Sequence, residues 1–408
     1  MSDRAGHRVV VTGLGAVSGL GLGAAEFIAG IRSGLSGIGP IEQFDDTGFE
    51  RHLAGEVREF KPSEHLRRTD PEAWGRSGQL AAAASRMAVT DAGLGDEELS
   101  ARRVASVFGT TNGESQVLEQ LSAWWVAEGL DALDPTLVGQ ADAGRIASAV
   151  NAELGLTGEA LTLGTACAAG NYAIGYGYDL VRGGEADAVL CGGADSSNRA
   201  THAGFHRLGA LAETVPRPFD AHRDGIVTAE GGAALLLETL ESARARGARV
   251  YAEVLGYGMT CDAHHMTNPH APSIAECIRR AHRNARITPA DVDYICAHGT
   301  GTTANDSTEV ASVREAFGER IPPISSIKSM LGHTMGAAAA FGAVVCCAAL
   351  HEGFLPASTT VRTVDPALGA DLDCVPVRSR DHKPRVVENH GFAFGGNNAV
   401  MIFGDAAV

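Results

Sequence analysis

The stretch Leu161-Thr-Leu-Gly-Thr-Ala-Cys167-Ala-Ala-Gly-Asn-Tyr-Ala-Ile-Gly175 opens as an apolar strand, passes through small residues and continues as a helix to about Arg182. A strand that hands over to a helix in this way is half of a βαβ unit. The same order recurs along the chain. Strand-like runs stand at Arg8–Thr12, Ala105–Gly109, Leu161–Thr165, Ala188–Cys191, Val292–Ala297 and Ile324–Ile327, and small-residue helical segments follow them. Alternation of this kind predicts a largely parallel sheet covered by helices on both faces, because the strands are too continuously apolar to have a solvent face.

The chain has 408 residues, of which 45% are hydrophobic and 51 are glycine, enough to fill a large core with close helix–sheet contacts. Its formal charge of −16 argues against non-specific nucleic-acid binding, which needs an excess of Lys and Arg. Eight cysteines without a CxxC pair argue against a disulfide framework or zinc knuckle and fit a reducing, cytoplasmic setting. Met1 to Val11 has no signal-peptide core, and the apolar segment from Gly336 to Leu350 reads as a buried core helix rather than a membrane span. Between Glu238 and Val250 a helix ends at Gly247 and a strand begins at Val250. This divides the chain into halves at 1–247 and 248–408, the first carrying Cys167.

Four motifs carry chemistry. Cys167 stands at the start of a helix, where unpaired N–H groups and the dipole favour a thiolate, and its Ala and Gly neighbours leave room for a substrate. The run Tyr294-Ile-Cys-Ala-His298-Gly-Thr-Gly-Thr302 ends a strand on a histidine over a glycine-rich loop bearing Thr300 and Thr302, followed by Asp306 and Glu309 on one helix face. The run Ser325-Ser-Ile-Lys328-Ser-Met-Leu-Gly-His333-Thr-Met-Gly brings His333 to the start of a helix, whose positive end keeps it neutral and able to donate a hydrogen bond. Lys328 is expected to pair with Glu309. Last comes Asn389-His-Gly-Phe392-Ala-Phe394-Gly-Gly-Asn-Asn398, a glycine turn between strands Val386–Phe392 and Ala399–Phe403. Its backbone N–H could join that of Cys167 in an oxyanion hole while Phe394 shields the site.

Two other features carry less. Gly13-Leu-Gly-Ala-Val-Ser-Gly19 is one residue too long for a dinucleotide fingerprint, and the adjacent His264 and His265 point apart with no further ligands to make a metal site.

Taken together, Thr165-Ala-Cys167, His298-Gly-Thr-Gly-Thr, Lys328-Ser-Met-Leu-Gly-His333 and Phe394-Gly-Gly-Asn-Asn resemble the β-ketoacyl-acyl carrier protein synthases, most closely the elongating type II kind. The resemblance runs from Val9 through Arg217-Pro-Phe-Asp220, Arg223-Asp-Gly225 and Asp262-Ala-His-His-Met-Thr267 to the last strand. It implies an α/β thiolase fold, two similar halves stacked as a five-layer α-β-α-β-α sandwich and assembled as a dimer. It further implies catalysis by Cys167, His298, His333 and Lys328 with support from Asp306 and Glu309, and pantetheine contacts from Thr300 and Thr302. Phe394 would gate an acyl pocket lined by Asn112, Phe205 and Phe392. The implied reaction is decarboxylative Claisen condensation of malonyl-carrier protein with an acyl chain on Cys167. It needs no metal and no cofactor beyond the phosphopantetheine of the acyl carrier protein.

Arg67 and Arg68 occupy the place where similar enzymes carry basic docking residues, with Lys61 and Arg207 nearby candidates. Ala393, Asn397 and Asn112 depart from the usual Gly, Thr and apolar residue, which points to a specialised pocket in type II polyketide or polyene synthesis rather than to housekeeping fatty-acid elongation. The chain would pair with itself or with a chain-length-factor-like paralogue. Phe394 in place of a second cysteine speaks against a thiolase, and His333 in place of asparagine against a chalcone-synthase-like enzyme. An inactive partner subunit and a Cys-His hydrolase are the remaining alternatives.

Overall fold

The computed structural model describes residues 6–318 and 320–406. Its sheet is built twice over. The first half supplies β1 (Val9–Ser18), β2 (Val104–Gly109), β3 (Ala160–Leu163), β4 (Ala188–Asp195) and β5 (Gly231–Thr239) in spatial order β3-β2-β4-β5-β1. The second supplies β6 (Ala252–Cys261), β7 (Tyr294–Cys296), β8 (Ile324–Ser325), β9 (Val386–Phe392) and β10 (Asn397–Gly404) in the matching order β8-β7-β9-β10-β6.

The strand directions match as well. β2 is parallel to β3 and β4, as β7 is to β8 and β9, while β5 and β10 run antiparallel to both their neighbours. The halves join where β1 pairs antiparallel with β6, Val9 opposite Val254.

The helices repeat the same scheme. The first half runs β1, α1 (Arg76–Asp91), β2, α2 (Arg145–Leu154), β3, α3 (Ala169–Arg182), β4, β5. The second runs β6, α4 (Ala271–Ala285), β7, α5 (Thr303–Phe317), β8, α6 (Ala338–Glu352), β9, β10. α1 and α2 cover one outer face, α4 and α5 the other, and α3 and α6 lie between the two half-sheets, giving the expected five layers.

Strand periodicity shows why the layers form. In β4, Val189 and Cys191 face the central core, whereas Ala188, Leu190 and Ala194 face α1 and α2. In β10, Met401 and Phe403 face the centre and Val400 and Ile402 face α4 and α5. A strand with both faces apolar needs a helix layer on each side.

α6 is apolar all round because it touches both half-sheets. Met335–Glu352 is long and apolar enough to cross a bilayer, yet 89% of it is buried inside the fold. Ala160–Leu163 is covered on both faces as expected, by α2 on the outside and α3 on the inside. It is the edge strand of the sheet, its four residues all partly accessible.

Candidate active site

The chemistry collects where α3 and α6 begin. β3 ends at Leu163, and Ala166–Ala168 form a tight 3-10 turn that leads into α3. Ala166 is held at φ +50°, a left-handed conformation that costs a residue with a Cβ on the order of 1–3 kcal/mol. The sharp bend leaves Cys167 at the head of the helix, facing the cavity. α6 starts the same way: Met335–Ala337 form a 3-10 turn and Met335 is also at φ +50°.

His333 stands two residues before that bend, and its backbone N–H is bound to the Val227 carbonyl at 2.7 Å. His298 follows β7. The sulfur of Cys167 and one ring nitrogen of each histidine lie within 4.8 Å of one another, all buried, and the two imidazole rings meet edge-on with centroids 5.4 Å apart.

Each histidine is fixed from behind. Glu309 takes the N–H of His298 at 2.8 Å and that of Gly299 at 2.7 Å, and the Lys328 ammonium donates to the His298 carbonyl. This corrects the expected pairing: Lys328 grips the backbone of His298, not the Glu309 carboxylate. Asp306, one turn before Glu309, accepts from the N–H of Phe219 at 2.8 Å and of Gly301 at 3.2 Å, bracing the loop that carries Thr300 and Thr302. The Met335 N–H donates to Nδ1 of His333 at 3.1 Å, which leaves the ring proton on Nε2. A cysteine and two histidines at these distances are also donor types for zinc, but an Nε2 that carries a proton has no lone pair to offer a metal.

Burial dominates the electrostatics. It pushes the Cys167 thiol up to about 11, against the pull of the Lys328 ammonium and of the N–H groups of Phe394 and Cys167 itself; Asp195 adds to the rise. The helix start therefore does not yield a resting thiolate. Burial, then Lys328, hold both His298 and His333 well below the usual imidazole range, so both are neutral. Neutrality of His333 agrees with the sequence reading, but desolvation is its main cause. Burial also lowers Lys328. Asp306 is raised to about 6, mainly by burial.

A cavity of about 230 Å³ opens over the sulfur, lined by Thr300, Thr302, Phe205, Phe392 and Phe394 as well as the three reactive residues. Thr300 and Thr302 share a hydroxyl hydrogen bond of 2.9 Å. The Phe394 ring is 37% exposed and stacks on Phe205 with centroids 5.7 Å apart, at the mouth. The turn it sits on, with Gly395 at φ +82°, is tied to the 262–270 loop through Gly395 N–H to Met266 O at 2.8 Å and Asp262 N–H to Gly396 O at 2.9 Å. His265 and Met266 of that loop also line the cavity.

Asn112 does not line it. Its backbone N–H caps Asp195 at 2.9 Å and its side-chain nitrogen is buried without a partner. Arg67 and Arg68 are exposed, away from the cavity lining, with their backbone N–H groups on Glu153 at 3.0 and 3.1 Å; among the described residues neither side chain has an ion-pair partner.

Sequence reasoning missed one group entirely. His390 is buried in β9 between Glu309 and Glu388, and Glu388 also meets His282. A signal was there: Glu388, Asn389 and His390 are consecutive polar residues in a strand at the centre of a sheet, a place where such groups are costly unless paired.

Residues 6–243 match the model of the β-ketoacyl synthase N-terminal domain and residues 251–362 that of the C-terminal domain. The chain is 37% identical to a 3-oxoacyl-(acyl-carrier-protein) synthase 2 of Synechocystis sp., over 99% of each. Among solved structures it resembles the ishigamide ketosynthase/chain length factor, with TM-score 0.96 and 48% identity over 98% of this chain and 99% of that one. It also resembles a chain from a type II polyketide synthase acyl carrier protein in complex with its ketosynthase bound to the hexaketide, with TM-score 0.89 and 30% identity over the same shares.

The raised thiol generates a direct test. The alkylation rate of Cys167 by iodoacetamide, followed by mass spectrometry, is expected to climb about tenfold per pH unit from pH 7 to 10 with no plateau near neutrality. Because Lys328 lowers the thiol pKa, Lys328→Met slows the reaction at every pH in that range.

Proposed function

Because this chain belongs to the β-ketoacyl synthase family, we propose that it extends acyl chains by decarboxylative condensation with Cys167, His298, His333 and Lys328 as the working residues, in type II polyketide or polyene synthesis. Its activity is that of a ketosynthase, an acyltransferase whose substrates ride on the phosphopantetheine of an acyl carrier protein, with no further cofactor. We read 1–247 and 248–408 as its two halves.

The observation that carries the residue roles is the shared cavity, with one sulfur and two neutral imidazoles within 4.8 Å. In the first half-reaction the Cys167 sulfur attacks the carrier-borne thioester, its proton leaves with the pantetheine thiol, and the acyl group stays on Cys167. The N–H groups of Cys167 and Phe394, both directed at the sulfur, are suited to hold the oxyanion of the tetrahedral intermediate.

In the second, malonyl-carrier protein loses CO2, and the electrons of the broken C–C bond pass into an enolate on its thioester oxygen. The Nε2 proton fixed on His333, together with His298, stabilises that charge. The enolate carbon then attacks the acyl carbonyl and the Cys167 thiolate leaves. Lys328 holds His298 by its carbonyl and lowers the energy of the departing thiolate. In this reading Thr300 and Thr302, which line the cavity, contact the pantetheine arm.

The polyketide or polyene reading draws support from the 48% identity to the ishigamide ketosynthase/chain length factor, against 37% to the Synechocystis enzyme. Housekeeping fatty-acid elongation remains the second reading, because 3-oxoacyl-(acyl-carrier-protein) synthases align over the full length. Retention of Cys167 weighs against an inactive partner subunit. The reducing cytoplasm is our assignment for its location, in keeping with eight free cysteines, seven of them buried.

Two surfaces suit protein partners. Arg67 and Arg68, free of ion pairs among the described residues, offer positive charge on an acidic enzyme to an acidic carrier protein. The exposed edge of β3 and the helix Ser115–Glu128, with Trp125 56% and Val126 88% exposed, offer an apolar face and unpaired strand edge to a second subunit, either a copy or a chain-length-factor-like paralogue.

Incubation with acyl- and malonyl-carrier proteins should give CO2 and a β-ketoacyl product; hydrolysis to free acid alone would sink the condensation reading. Cys167→Ala is expected to abolish acyl loading, whereas His333→Ala loads and then fails to condense. Reversing charge at Arg67 and Arg68 to Glu should raise KM for carrier protein about tenfold or more while sparing small acyl-thioester mimics, as loss of two docking charges requires. Light scattering should find the purified protein as a dimer, or monomeric alone and dimeric with its paralogue; a monomer under both conditions removes the proposed interface.

A further inference from the structure

The sheet interior holds a string of charged groups that the reaction above does not use. Nδ1 of His390 lies 3.0 Å from Glu309 and Nε2 lies 3.0 Å from Glu388, with all three side chains fully shielded from solvent. An imidazole with a carboxylate at each nitrogen must carry both protons, since either neutral tautomer would turn a lone pair toward an anion. The far oxygen of Glu388 meets Nε2 of His282, which packs edge-on against Phe317.

At the near end, the two oxygens of Glu309 take the N–H groups of His298 and Gly299. The backbone around His298 is thus gripped on its N–H side by an anion and on its carbonyl side by the Lys328 cation.

We propose that His390 is a positioning residue for condensation: a buried imidazolium that holds the Glu309 carboxylate in its orientation, and through Glu309 holds His298 in place over the Cys167 sulfur. Without that cation, Glu309 would share the interior with Glu388 and Asp306. Arg223 approaches Asp306 at 3.9 Å but pairs closely with Asp365 at 2.6 Å, and Lys328 is already committed to the His298 carbonyl. The Glu309 carboxylate, its ring partner gone, would then turn away and release the backbone of His298.

The titratable groups around His390 come from every neighbouring element: Glu309 and Asp306 from α5, Glu388 from β9, His282 from α4, Cys296 and His298 from β7 and its loop, Lys328 and, on α6, Cys346. The two glutamates outweigh burial and hold His390 up at about 9. A raised folded pKa means that the charged form contributes fully below the unfolded value and is lost as pH rises through about 9. At neutral pH the cation is in place.

This inference rests on the condensation reading, and its test separates the two. In wild-type protein labelled with 15N-histidine at pH 7.5, one buried histidine is expected to show both ring nitrogens protonated, and the signal should vanish in His390→Gln. Acyl loading of Cys167 by that variant should stay within about twofold of wild type, while malonyl decarboxylation by the loaded enzyme falls about tenfold or more, the scale of a misplaced catalytic group. The decline in wild-type decarboxylation as pH rises through about 9 should also disappear in the variant.

A neutral ring at position 390, equal loss of loading and decarboxylation, or no loss in either would overturn the proposal. If His390→Gln does not fold, Glu388→Gln removes one of the two carboxylates, and the alkaline decline should move to lower pH; an unmoved decline also overturns it. A wild-type enzyme that loads but releases no CO2 would instead refute the condensation reading, while the NMR signal still reports on His390.

Discussion

The close crossing of two helices between the half-sheets sets the geometry of everything else. A Cβ on Gly170 of α3 would lie 2.6 Å from the backbone nitrogen of Ala340 on α6, nearer than any side chain could be accommodated. Small residues at this contact let the helix starts converge, and each start carries part of the chemistry: Cys167 heads one and His333 precedes the other. The duplicated topology makes this inevitable. Each half sends its third crossover helix into the shared central layer, so equivalent loops from the two halves meet at one point. Only His298 comes from elsewhere, and a separate brace of Glu309, Lys328 and, by our inference, His390 holds it.

Desolvation then decides the protonation states. In water a cysteine and two histidines near an ammonium would titrate close to neutrality; here burial is the largest influence on each, and it drives all four groups toward their uncharged forms. For acyl transfer this is a mixed result. A thiol raised to about 11 is a weak nucleophile at rest, but neutral imidazoles are the donors an enolate needs, and a dry cavity strengthens each N–H that faces developing charge. Glu309, Glu388 and His390 sit behind the reactive groups, where they orient the backbone without lining the cavity.

Much of this was legible in the sequence because it is local. The helix after Cys167, the two C-terminal strands and the buried nature of α6 follow from periodicity and small-residue runs, and β9 occupies Val386–Phe392 as read. The family resemblance that the four motifs carry already implies that Cys167, His298 and His333 share one site. What failed depends on distant neighbours. Charge alone pairs Lys328 with Glu309, but its ammonium donates instead to a backbone carbonyl 30 residues away. Asn112 looked like a pocket residue by position, yet its N–H was needed by Asp195, 83 residues on. The β3 strand is covered on both faces as read, but nothing local marks it as an edge. His390 and Glu309 are 81 residues apart, so no spacing rule could join them, although three polar residues in a central strand asked for partners.

The two helix starts also show how a duplicated scaffold yields an asymmetric site. Ala166 and Met335 adopt the same left-handed bend, so position 336 is the counterpart of position 167. A side chain is impossible there: a Cβ on Gly336 would fall 2.6 Å from the backbone of Thr110, and its N–H is spent on Asp195 at 2.6 Å. Asp195 in turn collects the Thr110 hydroxyl and the N–H groups of Thr111 and Asn112, locking the first half's loop against the second helix start. One bend is thus sealed by packing while the other keeps its side chain facing the cavity. The same fold element, used twice, serves once as a joint between the halves and once as the mount for a nucleophile. Freeing position 336 for chemistry would mean giving up the contact that holds the two halves in register.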